Sequence, residues 1–488
     1  RLKQMALAYS VHGSPLYENE LLRDDIIAGL QWVYENRYNE RTTAYGNWWE
    51  WQIGAPMALK DILVLMHDEL PQPLMNGFLD TIETFIPDPT RRTGKDAEET
   101  GANRVDKALI AAVAGLLGKD GQQISEAQAA LDEVFQYTKD GDGFYENGAF
   151  IQHGNVPYIG SYGVVLIERL SEMLYLLDDS PWEADDQQTR RIYDWFYDSF
   201  EPFIYEGAMM DMVRGRAISR SGSDAYTIGR TAINSFLRLS NLLPGEMALD
   251  IQNKLKYRYE SDKIFNNPYM GLNIHSIKRV QSLEANDSVK AEEDSGTGHR
   301  QYPEMDRVVH KRQGFAFGLS MYSSRIINYE SINGENLKGW YTSSGMTYLY
   351  NSDLTQYSDG YWPTVDKLRL PGTTTDGSPK PMHLSEKDWV GGASVDSLFG
   401  VSGMAFKYPD TGVSGKKSWF MFDNEIVALG TGITGSSSKR VETIVENRKI
   451  RDNLSNALSV NGTLKPQNDG WSESMKDVKW AHLEGNVA

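Results

Sequence analysis

Apolar residues in the first part of the chain recur three and four positions apart, with polar residues between them. Residues at this spacing share one face of a helix. Turns rich in Gly, Asp, Asn and Pro separate these segments. The pattern therefore predicts stacked helical hairpins, a toroid or solenoid rather than a compact bundle. The predicted helices are Leu21–Tyr34, Ala55–Met66, Ala108–Leu117, Ala127–Tyr137, Val164–Leu177, Ile192–Phe200 and Ala232–Leu243.

The pattern changes after the polar, acidic stretch Glu284–Gly298. Short segments rich in aromatic and β-branched residues follow, which is typical of an antiparallel β domain, here a predicted sandwich. We therefore expect a helical domain at 1–285, a linker at 286–299 and a β domain at 300–488. The predicted strand segments are Gly314–Ser323, Gly339–Tyr350, Ser418–Leu429, Val441–Val445 and Val478–Leu483.

Composition narrows the class of protein. With 49 basic and 67 acidic residues the net charge is −18, which argues against a nucleic-acid partner. The chain lacks cysteine, so disulfides, thiolate nucleophiles and Cys-based metal sites are excluded. It also lacks an apolar run long enough for a membrane span and any metal-binding or phosphate-binding motif, so we expect no membrane partner, metal or cofactor.

Basic residues nevertheless occur in two clusters, and net charge does not set the local potential of a cleft. We therefore expect a basic groove on an otherwise acidic protein. The first cluster is Arg91, Arg92, Lys95, Arg104 and Lys107, and the second is Arg214, Arg216 and Arg220.

An aromatic cluster lies at Asn47–Gly54, where Trp48, Trp49 and Trp51 occupy three of four positions. Neighbouring residues of a helix point about 100° apart, so at least one ring should be exposed. Exposed Trp beside Asn47 suits stacking on a sugar ring. The alternative is an aromatic cluster packed between helices.

Two further segments contain polar groups suited to catalysis. Asn103 lies at a predicted helix start, either as the N-cap or with its amide directed at a substrate carboxylate. His153 and Tyr162 flank a Gly/Pro loop before a predicted helix. A loop histidine is commonly a solvated or capping residue, but the nearby phenol could carry a proton.

Arg216 and Arg220 are four residues apart and would share a helix face. Two such cations repel each other unless an anion lies between them, and Arg binds carboxylates through two parallel hydrogen bonds. The alternative is two separate surface salt bridges.

Taken in order, these stretches resemble polysaccharide lyase family 8, which includes hyaluronate, chondroitin AC and xanthan lyases. The resemblance continues through Tyr329–Gly339, Tyr361–Val365 and Ser418–Gly430, and so covers nearly the whole chain. It implies an incomplete (α/α) toroid followed by an antiparallel β super-sandwich, with a cleft between them. Family members are longer, so we expect the chain to be truncated at both ends.

The resemblance also implies site residues. The matching catalytic positions are Asn103, His153, Tyr162, Arg216 and Glu330. The matching substrate-binding positions are Asn47, Trp48, Trp49, Arg220 and Asn333.

The activity that this resemblance implies is cleavage of hyaluronan or chondroitin by β-elimination, giving 4,5-unsaturated products. Xanthan lyase is the first alternative. A glycoside hydrolase on the same toroid would need two opposed carboxylates, for which Asp142, Glu146 and Glu330 are candidates. A glycan-binding module without catalysis would need only the aromatic cluster.

The resemblance further implies a secreted bacterial protein that acts as a monomer on an acidic polysaccharide. Its first residues, Arg1–Leu7, lack the layout of a signal peptide.

Overall fold

The computed structural model describes residues 1–293, 296–435, 439–449 and 456–484. The chain divides into two compact units, Arg1–Arg214 with Tyr226–Asp294, and Gly215–Ala225 with Ser295–Ala488. The first is mainly helical and the second mainly antiparallel sheets, so the two-part fold class is confirmed. The bounds of the predicted linker stay a prediction.

Eleven helices lie mainly in the first unit of the described chain, and those predicted at Leu21–Tyr34, Ala55–Met66 and Val164–Leu177 are found within two residues of their predicted ends. The helices are α1 (Leu2–Ser10), α2 (Glu20–Asn36), α3 (Ala55–Leu65), α4 (Gln72–Phe85), α5 (Gly101–Gly118), α6 (Gly121–Ala129), α7 (Val164–Leu177), α8 (Asp186–Trp195), α9 (Ala225–Ser240), α10 (Gly245–Glu260) and α11 (Ile274–Ala285).

The helix predicted at Ala127–Tyr137 is wrong over most of its length, because α6 ends at Ala129. A continued helix would offer the carbonyl oxygen of Ala130 to an amide four residues later. That oxygen instead accepts from Arg104 Nε at 2.6 Å. Arg191 Nε likewise donates to the carbonyl of Phe135 at 3.0 Å. These side chains stabilise a series of turns in place of the helix.

Helix α5 is the centre of the helical unit, since every residue from Ala102 to Gly115 is buried. It contacts α3, α4, α6 and α7, and α1 contacts α3 in turn. Alternate helices are therefore neighbours, as in the stacked hairpins of an incomplete toroid. Any polar side chain on α5 lies in the interior of this unit.

Short antiparallel strands interrupt the helical unit in two places. A three-stranded sheet is formed by β1 (Gly143–Phe144), β2 (Phe150–Gln152) and β3 (Val156–Pro157), and a hairpin by β4 (Ile204–Tyr205) and β5 (Ala208–Met209). The first of these sheets leads directly into a wide helical turn, Ile159–Gly163, at the start of α7.

The second unit contains two four-stranded antiparallel sheets, β6–β9 and β11–β14, with smaller pairings beside them. Its elements are β6 (Gly298–Tyr302), β7 (Arg307–Arg312), β8 (Phe315–Ser320), β9 (Met346–Tyr350), α12 (Tyr361–Thr364), β10 (Thr374–Thr375), β11 (Val390–Val395), β12 (Phe399–Lys407), β13 (Ser414–Met421), β14 (Ile426–Thr434), β15 (Glu442–Thr443), β16 (Leu458–Val460), β17 (Thr463–Leu464) and β18 (Ala481–Leu483).

The predicted strand Ser418–Leu429 is a hairpin rather than one strand. It runs from the end of β13 through a turn into β14, and the Phe422 amide donates to the carbonyl of Glu425 at 2.9 Å. The apolar run continues on both sides of the short polar turn Asp423–Glu425, which conceals the reversal. Within the described residues, no helix is both long and apolar enough to cross a bilayer.

Two buried histidines face each other across the β6–β7 pair. His299 Nδ1 and His310 Nδ1 are 3.3 Å apart, and His310 Nε2 lies 2.8 Å from the carbonyl of Phe422. That carbonyl only accepts, so His310 carries its proton on Nε2 and accepts from His299. The pKa of each histidine is lowered to about 4, chiefly by burial. His310 and Arg312 add to the lowering for His299, and for His310 the hydrogen bond to Phe422 opposes the lowering and Arg312 adds to it.

We expect the β unit to lose stability as the pH falls from 6.5 to 4. In this window the unfolded histidines bind protons and the folded ones do not, so the free energy of unfolding falls by about 1.4 kcal/mol per pH unit for one histidine. Urea unfolding at several pH values measures the slope. The His299→Gln/His310→Gln variant should have a shallower slope, whereas the exposed-site control His67→Gln should keep that of the wild type. Equal slopes in all three would contradict the prediction.

Candidate functional site

Asn103 lies inside α5 and is buried, with 7% of its surface exposed. The interpretation of Asn103 as an N-cap is therefore wrong, because Thr100 occupies that position. Gln152 satisfies the helix start instead, and its Oε1 accepts from the Ala102 amide at 3.4 Å. Among the described residues the side-chain amide of Asn103 has no hydrogen-bond partner. Its donors are available to a ligand.

Gly101 makes the close approach of Gln152 possible. Its φ is +51°, and a Cβ at this position would lie 2.0 Å from Gln152 Oε1. Any other residue would displace Gln152 and bring strain in this left-handed conformation. The start of α5 can therefore pack closely against Gln152 of strand β2 only with glycine at position 101.

Asp142 connects the same two segments. Its Oδ2 accepts from Thr100 Oγ1 at 2.7 Å and from Gln152 Nε2 at 2.9 Å, and its Oδ1 accepts from the Gly154 amide at 2.5 Å. One carboxylate thus links the helix that carries Asn103 to the loop that carries His153. Asp142 was considered only as a hydrolase carboxylate, and its positioning role depends on contacts 12 and 42 residues apart.

His153 and Tyr162 lie in one aromatic cluster. Their ring centroids are 4.9 Å apart, and Tyr158 packs 5.8 Å from His153 and 4.9 Å from Tyr162. His153 is exposed at the tip of the β2–β3 hairpin with φ +61°, whereas Tyr158 is buried. The phenol and the imidazole are close enough to act on one group.

Tyr162 belongs to the wide turn before α7, which a second close approach shapes. A Cβ on Gly160 would lie 2.7 Å from side-chain carbons of Arg214 and Met209. The missing side chain lets the segment after β5 pack directly against the turn. This packing fixes the backbone two residues before Tyr162.

The tryptophan cluster divides between surface and core, as its spacing required. Trp49 is 38% exposed and Trp48 is half-buried, whereas Trp51 is 6% exposed and packs on Phe85 with ring centroids 5.2 Å apart. The guanidinium of Arg92 lies 3.9 Å from the centroid of Trp48 and covers one of its faces. The Asn47 side chain accepts from the Trp49 amide at 3.2 Å.

The first basic cluster is largely neutralised within the helical unit, so it does not support the expected basic groove. Arg92 donates to Glu99, and Arg104 donates to Glu98 and Glu133. Arg91 pairs with Asp96, and burial lowers the pKa of Lys107 to about 8.

The second unit contains the remaining predicted residues, where a carboxylate lies between Arg216 and Arg220. Glu335 accepts from the Nε atoms of both arginines at 2.6 Å, and Arg216 Nη1 donates to Glu330 at 2.5 Å. The predicted intervening anion is thus a side chain of the protein. Asn333 is exposed in the loop after Glu330, with φ +56°.

Sequence reasoning missed Glu335, Gln152 and the positioning role of Asp142. The chemistry did signal Glu335, since two arginines four residues apart required an anion, but no local pattern identified which acid supplies it. Among the described residues, one group of carboxylates, Asp178, Asp179 and Glu183, has the spacing of a cation site. All three are exposed, and they lie in a turn after α7.

Two family models match the chain. Residues 1–257 match "Polysaccharide lyase family 8, N terminal alpha-helical domain", and residues 297–488 match "Polysaccharide lyase family 8, super-sandwich domain". Similar proteins include a xanthan lyase of Bacillus sp. (strain GL1), 40% identical over 100% of this chain and 52% of its own length. A hyaluronate lyase of Thermasporomyces composti is 35% identical over 99% of this chain and 62% of its own length.

Solved structures show the same similarity. A Paenibacillus xanthan lyase superposes with a TM-score of 0.92 at 42% identity, covering 100% of this chain and 46% of its own. A Streptomyces coelicolor A3 chondroitin AC lyase in complex with chondroitin sulphate gives 0.87 at 34% identity, covering 99% and 65%. The chain thus spans about half to two thirds of the length of the proteins it matches.

Proposed function

Because the chain belongs to polysaccharide lyase family 8, we propose that it cleaves an acidic, uronate-containing polysaccharide by β-elimination. The substrate class is hyaluronan or chondroitin. The observation that carries the proposal is the joined arrangement in the helical unit, where His153 and Tyr162 share an aromatic cluster and Gln152 and Asp142 tie their loop to the helix of Asn103.

The chemistry starts from the C5 proton of the uronate, which is acidified by the adjacent carboxylate. Loss of this proton places further negative charge on that carboxylate, and the amide donors of Asn103 stabilise it. Tyr162, acting as a phenolate, takes the C5 proton and as the resulting phenol gives a proton to the O4 leaving group on the same face. The C5–H and C4–O4 bonds break, a C4=C5 double bond forms, and no water is consumed.

The other predicted residues have supporting roles in this proposal. His153 assists at the carboxylate, or acts as the base with Tyr162 as the acid. Arg216 and Glu330 supply charge that complements the reacting groups. Arg220 and Asn333 bind the substrate. The pair Trp48 and Trp49 contributes ring stacking, with Asn47 beside it.

A second substrate is favoured by one specific observation. Xanthan lyases are 40–42% identical to the whole chain, above the 34–35% of the hyaluronate and chondroitin lyases reported above. Cleavage of mannosyl-glucuronate side chains of xanthan is therefore the alternative. The hydrolase interpretation finds less support, because Asp142 is held by three hydrogen bonds and Glu330 by an ion pair.

A substrate panel tests the proposal. The full chain is incubated with hyaluronan, chondroitin sulfates and pyruvylated xanthan, and the ultraviolet absorbance of the conjugated double bond is recorded. We expect absorbance to rise in step with new chain ends, and chelators to leave the rate intact. New reducing ends without absorbance would identify a hydrolase, and no cleavage of any substrate would refute the lyase.

We expect Trp49→Ala to weaken substrate binding without loss of the fold. An exposed stacking ring contributes about 1–3 kcal/mol by analogy with base stacking. Trp51→Ala is the matched control. Removing this buried ring should instead lower the free energy of unfolding by about 3–5 kcal/mol. Affinity and thermal unfolding are measured for both. Unchanged affinity in folded Trp49→Ala would remove this residue from the substrate site.

The setting of the activity belongs to the same proposal. An acidic polysaccharide is too large to enter a bacterial cell intact, so we propose that a bacterium secretes the protein. We also propose that the protein acts as a monomer. Mass photometry and assays of culture supernatant test these two points.

A further inference from the structure

The segment Gly215–Arg220 and the loop Glu330–Asn336 of the β unit are joined through Glu335. Its carboxylate receives three hydrogen bonds: Arg216 Nε at 2.6 Å, Arg220 Nε at 2.6 Å and Arg220 Nη2 at 3.1 Å. Charge-assisted bonds of this kind fix geometry more strongly than neutral ones. One side chain thus sets the positions of two guanidinium groups.

Hydrogen bonds on both sides of Glu335 hold it in place. The Asn336 amide donates to Ser219 Oγ at 2.9 Å, and Asn336 Nδ2 donates to the carbonyl of Glu330 at 2.9 Å. Ser331 Oγ donates to the carbonyl of Glu335 itself at 2.8 Å. These hydrogen bonds close the loop Glu330–Asn336 and attach it to the segment Gly215–Arg220, independently of the Glu335 carboxylate.

Arg216 and Arg220 would repel each other without this carboxylate. Hydrogen bonds from Arg220 and then Arg216 lower the pKa of Glu335, so it remains ionised near neutral pH. Arg216 is buried, whereas the Arg220 side chain is 39% exposed. Loss of the anion would remove one ion-pair partner from the buried Arg216 and the restraint that Glu335 places on the more exposed Arg220.

We propose that Glu335 is a positioning residue that holds Arg216 and Arg220 in the geometry needed for turnover, an inference that rests on the proposed function of those arginines. Glu335 does not act on the substrate. Its effect passes through Arg216, which we assign to the chemistry, and Arg220, which we assign to binding. Its removal should therefore change kcat and KM together.

The test compares Glu335→Gln with Glu442→Gln. Glu442 forms with Arg369, in the same unit, a two-bond pair at 2.6 and 3.2 Å like that between Glu335 and Arg220, so this control removes a matching pair elsewhere. A misplaced group costs up to about 100-fold, and we expect kcat/KM of Glu335→Gln to fall at least about 10-fold with contributions from both constants. Glu442→Gln should retain both constants, and Glu335→Asp, which keeps the charge, should recover part of the loss.

A second readout needs no turnover. Labelling with an arginine-specific dicarbonyl reagent, followed by peptide mass spectrometry, reports how tightly each guanidinium is held. Glu335→Gln should raise the labelling rate of Arg220 and leave Arg369 unchanged, and Glu442→Gln should do the reverse. Wild-type kinetics and unchanged Arg220 labelling in folded Glu335→Gln would overturn the inference. If the wild type cleaves nothing on the panel, the proposed function fails while the labelling still decides the role of Glu335.

Discussion

Replacing Tyr162 by phenylalanine should lower kcat at least about 100-fold, the usual scale of lost general acid–base catalysis. The change removes one oxygen and keeps the ring that packs 4.9 Å from both His153 and Tyr158. The fold should therefore survive, and KM should change little because the stacking residues remain. Initial rates by ultraviolet absorbance, with thermal unfolding alongside, measure both effects.

Tyr158→Phe is the matched control for this variant. It removes a phenol oxygen from the buried ring of the same cluster, and we expect it to change turnover far less than Tyr162→Phe. Near-normal turnover in folded Tyr162→Phe would exclude Tyr162 from the proton transfer. His153 would then become the candidate base, and the order of proton transfers would have to be redrawn.

Asn103→Ala should lose about 2.7–4 kcal/mol of transition-state stabilisation, or about 100- to 1000-fold in kcat, if its amide acts like an oxyanion-hole donor. Alanine has the highest helix propensity, so α5 should tolerate the change. Single-turnover assays on a defined oligosaccharide separate the chemical step from product release.

Asn103→Asp sharpens this second test. It keeps the shape of the side chain but replaces the amide donors with a carboxylate that repels the substrate carboxylate, so the loss should exceed that of Asn103→Ala. Asn103→Ala and Tyr162→Phe should also combine less than additively, because both disable the same step. Equal activity of Asn103→Asp and the wild type would rule out the carboxylate-binding role.

Local patterns in the sequence were sufficient to predict many of the helices in the helical unit. The spacing of apolar residues in α7 predicts both of its ends, because the buried side chains follow the helical period along its whole length. The extension of α6 failed because side chains 26 and 56 residues away, Arg104 and Arg191, take the carbonyl groups that a helix would use. Contacts at this separation leave no mark on local periodicity.

The same limit applies to the candidate site. The Trp48–Trp51 spacing required an exposed ring, and the structure provides it at Trp49. Residue type suggested His153 and Tyr162, and their proximity follows from a separation of only nine positions along the chain. The anchoring of Asn103 could not be predicted, because it depends on Gln152, 50 residues away from the amide that it caps.

That anchoring has a consequence for engineering specificity by loop exchange. A hairpin carrying His153 cannot be transplanted alone between related lyases, because Gln152 needs the empty space beside Gly101 and the carboxylate of Asp142. A chimera that moves the hairpin without Thr100–Gly101 and Asp142 would lack matching partners for the loop. The smallest exchangeable part is therefore discontinuous in sequence, two segments about 40 residues apart that must be inherited together.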